Sequence, residues 1–231
     1  MKRFYKEATA QEEDGQWSVK LDGKPLRTPA KAPLNLPSRR LAEAIAEEWR
    51  GQEETVKPAT LPLTRITSTA IDLVPPKRQG VIDETAKYAG TDLLCYRAED
   101  PPALIARQAE VWQPLLDWAM LRYDAPLNVT AGILPVNQPP ESLKALTTAV
   151  SDYDDLRLAA LHLATGACGS LIVALALVEG RIDADEAFHI SQLDETFEIE
   201  KWGEDAEQTK RRENLLEDIR LTGRFLELLE N

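Results

Sequence analysis

Cysteine and histidine are both scarce in this chain. Cys95 and Cys168 are too few among 231 residues to build a disulfide framework. The small-residue setting GACG around Cys168 reads as packing, and a reducing compartment is expected. The two histidines, His162 and His189, lie far apart with no Cys-x-x-Cys or His-x-x-x-His spacing near either, so no metal site is expected. Three common signatures are missing as well: Gly-x-x-x-x-Gly-Lys-Ser/Thr, Gly-x-Gly-x-x-Gly after a strand, and Gly-x-Ser-x-Gly. Their absence removes the usual phosphate-cradle, dinucleotide and acyl-transfer chemistries. Basic charge is in short supply, 27 Lys and Arg against 39 Asp and Glu, for a formal net charge of −12. Such a mean field repels a phosphate backbone and an anionic membrane, which argues against a nucleic-acid partner.

A leader segment is not expected either. The opening MKRFYKEATAQEEDGQ has basic residues but no apolar stretch behind them, and acids arrive by position 7, which fits neither a secretory signal nor a transit peptide. The one long apolar run is 158–178, LAALHLATGACGSLIVALALV, whose 21 residues carry no formal charge and are just long enough to span a bilayer. His162, Thr165, Gly166, Gly169 and Ser170 interrupt it near the middle, no basic flank or aromatic belt follows, and Glu179 closes it. It reads as a core element, one helix before the TGACG break and another after it, with no membrane insertion.

What is present begins with alternation. Trp17, Val19 and Leu21 fall on one face with Ser18 and Lys20 between them, and Asp22-Gly23 offers the positive φ that a tight hairpin needs. PLRTPAKAPLNLP then returns as short, proline-limited strands. In PSRRLAEAIAEEWRGQEE, Ser38 is the expected N-cap, and Leu41, Ala44, Ile45, Glu48, Trp49 and Gln52 share a side at helical spacing. Trp49 is expected as a structural anchor holding that helix to the sheet. From Leu61 onward the period of two is gone. PPALIARQAEVWQPLLDWAMLRY gives a helical stripe of Leu104, Ile105, Ala109, Trp112, Leu115, Leu116 and Ala119, kinked or restarted at Pro114, and loop and helix alternate from there on. The expected fold is α+β: a small N-terminal α/β domain with antiparallel hairpins over 1–75, followed by a larger all-helical domain over 76–231.

Catalytic chemistry finds little support. Cys95 lies in the apolar GTDLLCYRA, where only Arg97 could favour a thiolate, so burial is the better reading. The segment that does not explain itself is LDETFEIEKWG at 193–203, four carboxylates within seven positions. Between Arg181 and Lys201 there are seven acids and no lysine or arginine. Asp183, Asp185 and Glu186 suit a first helical turn. Asp194, Glu195 and Glu198, read as the C-terminal half of the same helix, meet an unfavourable dipole and repel one another at a turn's spacing, each pair costing about 0.2–0.5 kcal/mol. Ile190, Leu193 and Phe197 form the inward stripe, which leaves the carboxylates outside. A solvated acidic face is one reading and a contact surface relieved by a partner's cations is the other, and the latter requires that the chain's own arginines leave these carboxylates unpaired. A glycosidase pair needs carboxylates facing each other across a cleft, which adjacent helical positions do not supply. An enzyme with an inter-domain cleft using Cys95 or paired carboxylates stands as the alternative class.

Taken in order, LDGKPLRTPA at 21–30, EEWRGQ at 47–52, PLTRITSTAID at 62–72, TDLLCYRA at 91–98, QAEVWQPLLDWA at 108–119, TGACGSLIVALALVEGRI at 165–182 and LDETFEIEKWG resemble the Atp12 family of F1-ATPase assembly chaperones. The similarity runs over nearly the whole chain. It implies a chaperone that needs no ATP and no cofactor, binds the unassembled alpha subunit of F1-ATPase, and shields its subunit-facing surface until assembly. The family's acidic position before the Lys-Trp-Gly signature falls on Asp194 or its neighbour Glu195, relatives commonly having Glu where this chain has Asp194. The resemblance makes Asp194, Glu195, Glu198 and Trp202 the expected partner-binding residues and gives weight to Trp49. Eukaryotic members are mitochondrial; a cytoplasmic bacterial member, with the monomer favoured, is the expectation here.

Overall fold

Two Asp-Gly pairs shape the first sheet. Asp14 and Gly15 (φ 51° and 76°) join β1, Ala8–Glu13, to β2, Gln16–Leu21, in the computed structural model, which describes residues 2–132 and 134–230. Asp22 and Gly23 (φ 48° and 78°) then turn β2 into the short β3, Lys24–Pro25. Both pairs hold left-handed backbone at each turn position, the geometry that lets two-residue hairpins follow the strand twist. The antiparallel register runs from Ala8 opposite Leu21 to Glu13 opposite Gln16. Val19 and Leu21 are buried on the face that meets the following helix, while Trp17 on the same side is only half-buried.

That helix is α1, Arg39–Arg50. The Ser38 hydroxyl accepts from Leu41 N–H at 3.0 Å, as an N-cap should, and Gly51 closes the other end. Leu41, Ala42, Ile45, Ala46 and Trp49 are buried beneath the sheet. The next helix, α2, Pro62–Asp72, has no cap of its own, and α1 supplies one. Glu48 accepts from the backbone N–H groups of Leu63 and Thr64 at 2.6 and 2.9 Å and from the Thr64 hydroxyl at 2.7 Å. Burial raises the Glu48 carboxyl above its ordinary range, and these hydrogen bonds pull the other way.

Among the described residues the remainder is mostly helical and includes one short parallel pairing, of β4, Tyr96–Arg97, with β5, Thr130–Ala131. In chain order it comprises α3, Val74–Ala86; α4, Pro102–Tyr123; α5, Pro140–Ser151; α6, Asp155–Cys168; α7, Leu171–Val178; α8, Ala184–Ser191; α9, Leu193–Trp202; and α10, Ala206–Leu229. α4 runs unbroken through Pro114, where a restart was one expectation. The apolar run at 158–178 divides into α6 and α7 at Gly169 (φ +64°). Ser170 caps α7 by accepting from Val173 N–H at 3.0 Å. Asp92, wholly buried, receives the Ser170 hydroxyl at 2.7 Å and the N–H groups of Leu94 and Ile172 at 3.1 Å each. Burial still pushes its carboxyl up to about 6. Among the described residues no helix is long and apolar enough to cross a membrane.

The chain falls into two compact units. One comprises Met1–Arg78, Asp155–Ala160 and Arg224–Asn231, the other Gln79–Asp154 and Leu161–Gly223. A single division at 75/76 would leave the two later segments with the second unit. In the first unit they are held by the Ser38 hydroxyl, which donates to the Leu228 carbonyl, by Arg157 with Glu230 at 2.8 Å, and by Arg78 with Asp155.

Candidate functional site

The acidic segment is not one helix. α8 starts with a capping box in which Asp183 and Glu186 exchange hydrogen bonds with each other's backbone N–H, and it ends at Ser191. Gln192 leaves helical geometry (φ −106°, ψ 23°), and α9 begins at Leu193. Asp194 and Glu195 therefore occupy a first turn, where the helix dipole favours anions, and the expectation of an unfavourable C-terminal position is corrected. No glycine or proline marks the break in HISQLDE, so the sequence pattern had nothing to show there.

The carboxylates are also less isolated than the local sequence implies. Arg107 of α4 forms two hydrogen bonds of 2.9 Å with Glu200, and its guanidinium lies 5.2 Å from the Phe197 ring centre. Arg211 of α10 stands 3.5 Å from Glu195, and Arg212 stands 3.4 Å from Glu204. The condition set by the contact reading, carboxylates left unpaired by the chain's own arginines, fails for Glu195 and Glu200. Exposed pairs of this kind are weak and readily exchanged. Glu198 is exposed and forms no ion pair among the described residues.

Asp194 is held differently. It is half-buried, and Gln108 Nε2 donates to its Oδ1 at 2.8 Å. Gln108 is itself 1% exposed and accepts from Ala98 N–H at 2.8 Å through Oε1, while its carbonyl accepts from Arg97 at 2.8 Å. Burial raises the Asp194 carboxyl above its ordinary range. The Gln108 hydrogen bond opposes that, Glu195 and Glu198 add to it, and Arg97 opposes it. Gln108 was absent from the stripe read off α4, and Ile105 and Ala109, which were included, are exposed; the buried face runs through Gln108, Trp112, Leu115, Leu116 and Ala119. A signal was available, since Gln108 lies four residues from both Leu104 and Trp112 and so shares their side of the helix.

Asp194, Glu198 and Trp202 lie four residues apart, which sets them along one side of α9 over about 12 Å. Trp202 ends the helix 78% exposed, before Gly203 (φ 80°). Leu193 and Phe197 face inward. Trp49 lies in the other unit, 7% exposed, with its Nε1 donating to Thr64 Oγ1 at 3.1 Å. The Tyr5 hydroxyl donates to the Trp49 carbonyl at 2.7 Å, and the two rings are 5.5 Å apart.

The thiols have no catalytic character. Burial pushes both Cys95 and Cys168 up to about 12, with the nearby Asp92 charge adding to it. His162 Nδ1 is bound to the Thr85 hydroxyl at 2.9 Å, and His189 Nδ1 to the Asp185 carbonyl at 2.6 Å. Among the described residues no group of three His, Cys, Asp or Glu is placed to hold a metal ion.

The sequence model of the ATP12 chaperone protein family matches residues 2–120, more than half of the chain. This chain belongs to the Atp12 family. The crystal structure of Atp12 from Paracoccus denitrificans superposes with a TM-score of 0.95 at 44% identity, covering 99% of this chain and 98% of that one. An aspartate-to-lysine variant of the same Paracoccus protein gives the same TM-score, identity and coverage. Protein atp12, mitochondrial, of Schizosaccharomyces pombe is 27% identical over 221 residues, which is 90% of this chain and 76% of that protein. The Atp12 family consists of chaperones of ATP synthase F1 assembly and not of enzymes, so the inter-domain-cleft alternative built on Cys95 or a carboxylate pair falls. The family match takes in Trp49 and Gln108 but ends before α9, whose place in the family rests on the full-length structural likeness.

Proposed function

We propose that this protein is an ATP-independent chaperone that binds the unassembled alpha subunit of F1-ATPase and covers its subunit-facing surface until a neighbouring subunit replaces it. One observation carries the choice of site: Asp194, Glu198 and the 78%-exposed Trp202 share one side of α9, with Glu198 unpaired among the described residues. A largely exposed tryptophan beside an unpaired carboxylate is the composition of a contact patch, an aromatic anchor next to charge that steers and orients. An unassembled subunit exposes apolar surface meant for its neighbours, and such surface aggregates. A cover that must later leave is better served by a modest patch with charge steering than by a very large apolar one. Net negative charge keeps the complex soluble, and a cytoplasmic, monomeric chaperone without cofactor fits this role.

The test is light scattering of isolated alpha subunit diluted into buffer with and without the protein. Suppression of aggregation at near-equal molar ratio is expected, together with its loss in the double variant Asp194→Lys, Glu198→Lys whose circular dichroism is unchanged. Equal aggregation with and without the wild-type protein sinks the function; equal suppression by the folded double variant sinks the site.

A further inference from the structure

The first unit has a groove of about 490 Å3 along α2. Arg65, Ser68 and Asp72 line it from that helix, at the three- and four-residue spacing that sets side chains on one side. Arg27 and Pro29 line it from the loop after β3. Buried Trp49 contributes to the wall, and Pro29, Pro58 and Leu73 are exposed apolar residues around it, Leu73 by 52%. One polar atom here has nothing to bind. Ser68 is 8% exposed, and its hydroxyl forms no hydrogen bond among the described residues. It is also not among the unpaired atoms sealed from solvent, so this hydroxyl keeps accessible surface in the wall of a groove, free to donate.

The charge agrees with the donor. Arg27 and Arg65 are exposed, and neither forms an ion pair among the described residues; Arg27 donates only to the Lys31 carbonyl, at 2.9 Å. Asp72 does not offset them: its carboxylate already accepts from the Thr28 hydroxyl at 2.6 Å and the Ala30 N–H at 3.0 Å. It also lies two turns from Arg65, about 10 Å along the helix axis. The net charge of −12 is felt weakly at this range, because physiological salt screens fields beyond about 8 Å. Recognition in the groove is therefore cationic, with apolar surface beside it. A nucleic acid or a bare phosphate would use the arginines and leave Pro29, Pro58 and Leu73 uncovered, whereas a peptide carrying a carboxylate next to a bulky apolar side chain uses both. We propose that this groove docks a segment of the client in which an Asp or Glu stands next to a bulky apolar residue. The carboxylate meets Arg65 and the Ser68 hydroxyl, neighbours on one helix side, and the apolar side chain lies against Leu73 and the prolines. This rests on the reading of the protein as a chaperone and adds a client contact on the first unit to the one on α9.

The probe is N-acetyl-Phe-Glu-Phe amide, titrated into the isotopically labelled full-length protein and followed at the Ser68 backbone amide and the Trp49 indole. Saturable shifts at both are expected. N-acetyl-Phe-Lys-Phe amide, with the charge reversed, and N-acetyl-Gly-Glu-Gly amide, without the apolar side chains, should each bind about tenfold more weakly or worse. Arg65→Glu changes an exposed position with no ion pair to lose; it should reverse the preference between the two charged peptides and weaken alpha-subunit binding about tenfold. Ser68→Ala should weaken the glutamate peptide by about threefold to tenfold, the range of one hydrogen bond. Absence of a saturable shift in the wild type, or equal affinity for the two charged peptides, overturns the groove. Inorganic phosphate binding as tightly as the glutamate peptide overturns its apolar half. Reversed peptide preference in Arg65→Glu with alpha-subunit binding at the wild-type level overturns the assignment to the client. A wild type that takes up the peptide yet never binds the alpha subunit overturns that assignment through the chaperone reading itself, an outcome distinct from failure of the probe.

Discussion

Gln108 Nε2 donates to Asp194 Oδ1 across 2.8 Å, and the same side chain accepts Ala98 N–H through its other end. One buried amide thus ties α4 to the first turn of α9 and to the strand end after Arg97. Gln108→Leu keeps the apolar contacts of the helix but leaves a half-buried carboxylate and a backbone N–H unpaired. The variant should lose about 1–3 kcal/mol in urea unfolding, the desolvation cost of stranded polar groups. A loss near zero would mean that water replaces the amide at both positions.

Asp194 carries a pH signature whose sign follows from burial. Its folded carboxyl lies above the ordinary value, raised first by burial, so the native state keeps the proton at pH values where the unfolded chain has released it. Stability from this group is therefore full below the ordinary Asp pKa, falls as pH rises through the raised one, and is flat above it. Asp194→Asn retains an oxygen for Gln108 to donate to and has no proton to lose. Its unfolding free energy relative to wild type should increase between pH 4 and pH 7.5, while alpha-subunit binding weakens. A difference independent of pH would show that the carboxyl is not perturbed.

Much of this fold can be read from residue order because the signals are local. Asp22-Gly23, the Ser38 cap, the Trp49 stripe and the TGACG break each depend on backbone preferences within a few residues. The Asp14-Gly15 turn is equally legible. What could not be read depends on distant partners: the break at Gln192 has no helix-breaking residue, and the cations that meet Glu195 and Glu200 come from Arg211 and Arg107. A run of acids looks uncompensated in sequence whenever its arginines arrive from other helices. Gln108 lies between the two cases, since its position on the apolar side was visible and its partner was not.

Trp49 tests the first unit. Trp49→Phe keeps an aromatic ring against Tyr5 but loses the donor to Thr64 Oγ1 and part of the buried ring volume, which together should cost about 1–3 kcal/mol. Trp49→Ala empties a buried site and should cost about 3–5 kcal/mol. Thermal melts of the pair isolate what the remaining six-membered ring contributes; equal losses would mean that this ring does not hold the helix.

The two thiols should be silent. With Cys95 and Cys168 both pushed up to about 12, the thiolate fraction at pH 8 is on the order of a thousandfold below that of a free cysteine. Iodoacetamide should label neither residue in the native protein within the time that a model thiol reacts fully, and both after unfolding. Rapid native labelling of Cys168 alone would locate an opening at the end of α6.

On the exposed side of α9, stability and binding should come apart. Trp202 contributes little to the packed interior at 78% exposure, and Glu198 has no ion pair among the described residues, so Trp202→Ala and Glu198→Lys should each leave unfolding free energy within about 0.5 kcal/mol of wild type. Under the proposed function, their effects on alpha-subunit binding should differ in kind. Reversing the charge at Glu198 acts while the partners are still apart, so the association rate should fall and its salt dependence shrink. Removing the indole acts once the surfaces have met, so the dissociation rate should rise. Stopped-flow association and chase-dissociation kinetics resolve the two. If both variants bind the alpha subunit at wild-type rates while remaining fully folded, this side of α9 faces solvent and the client is held elsewhere.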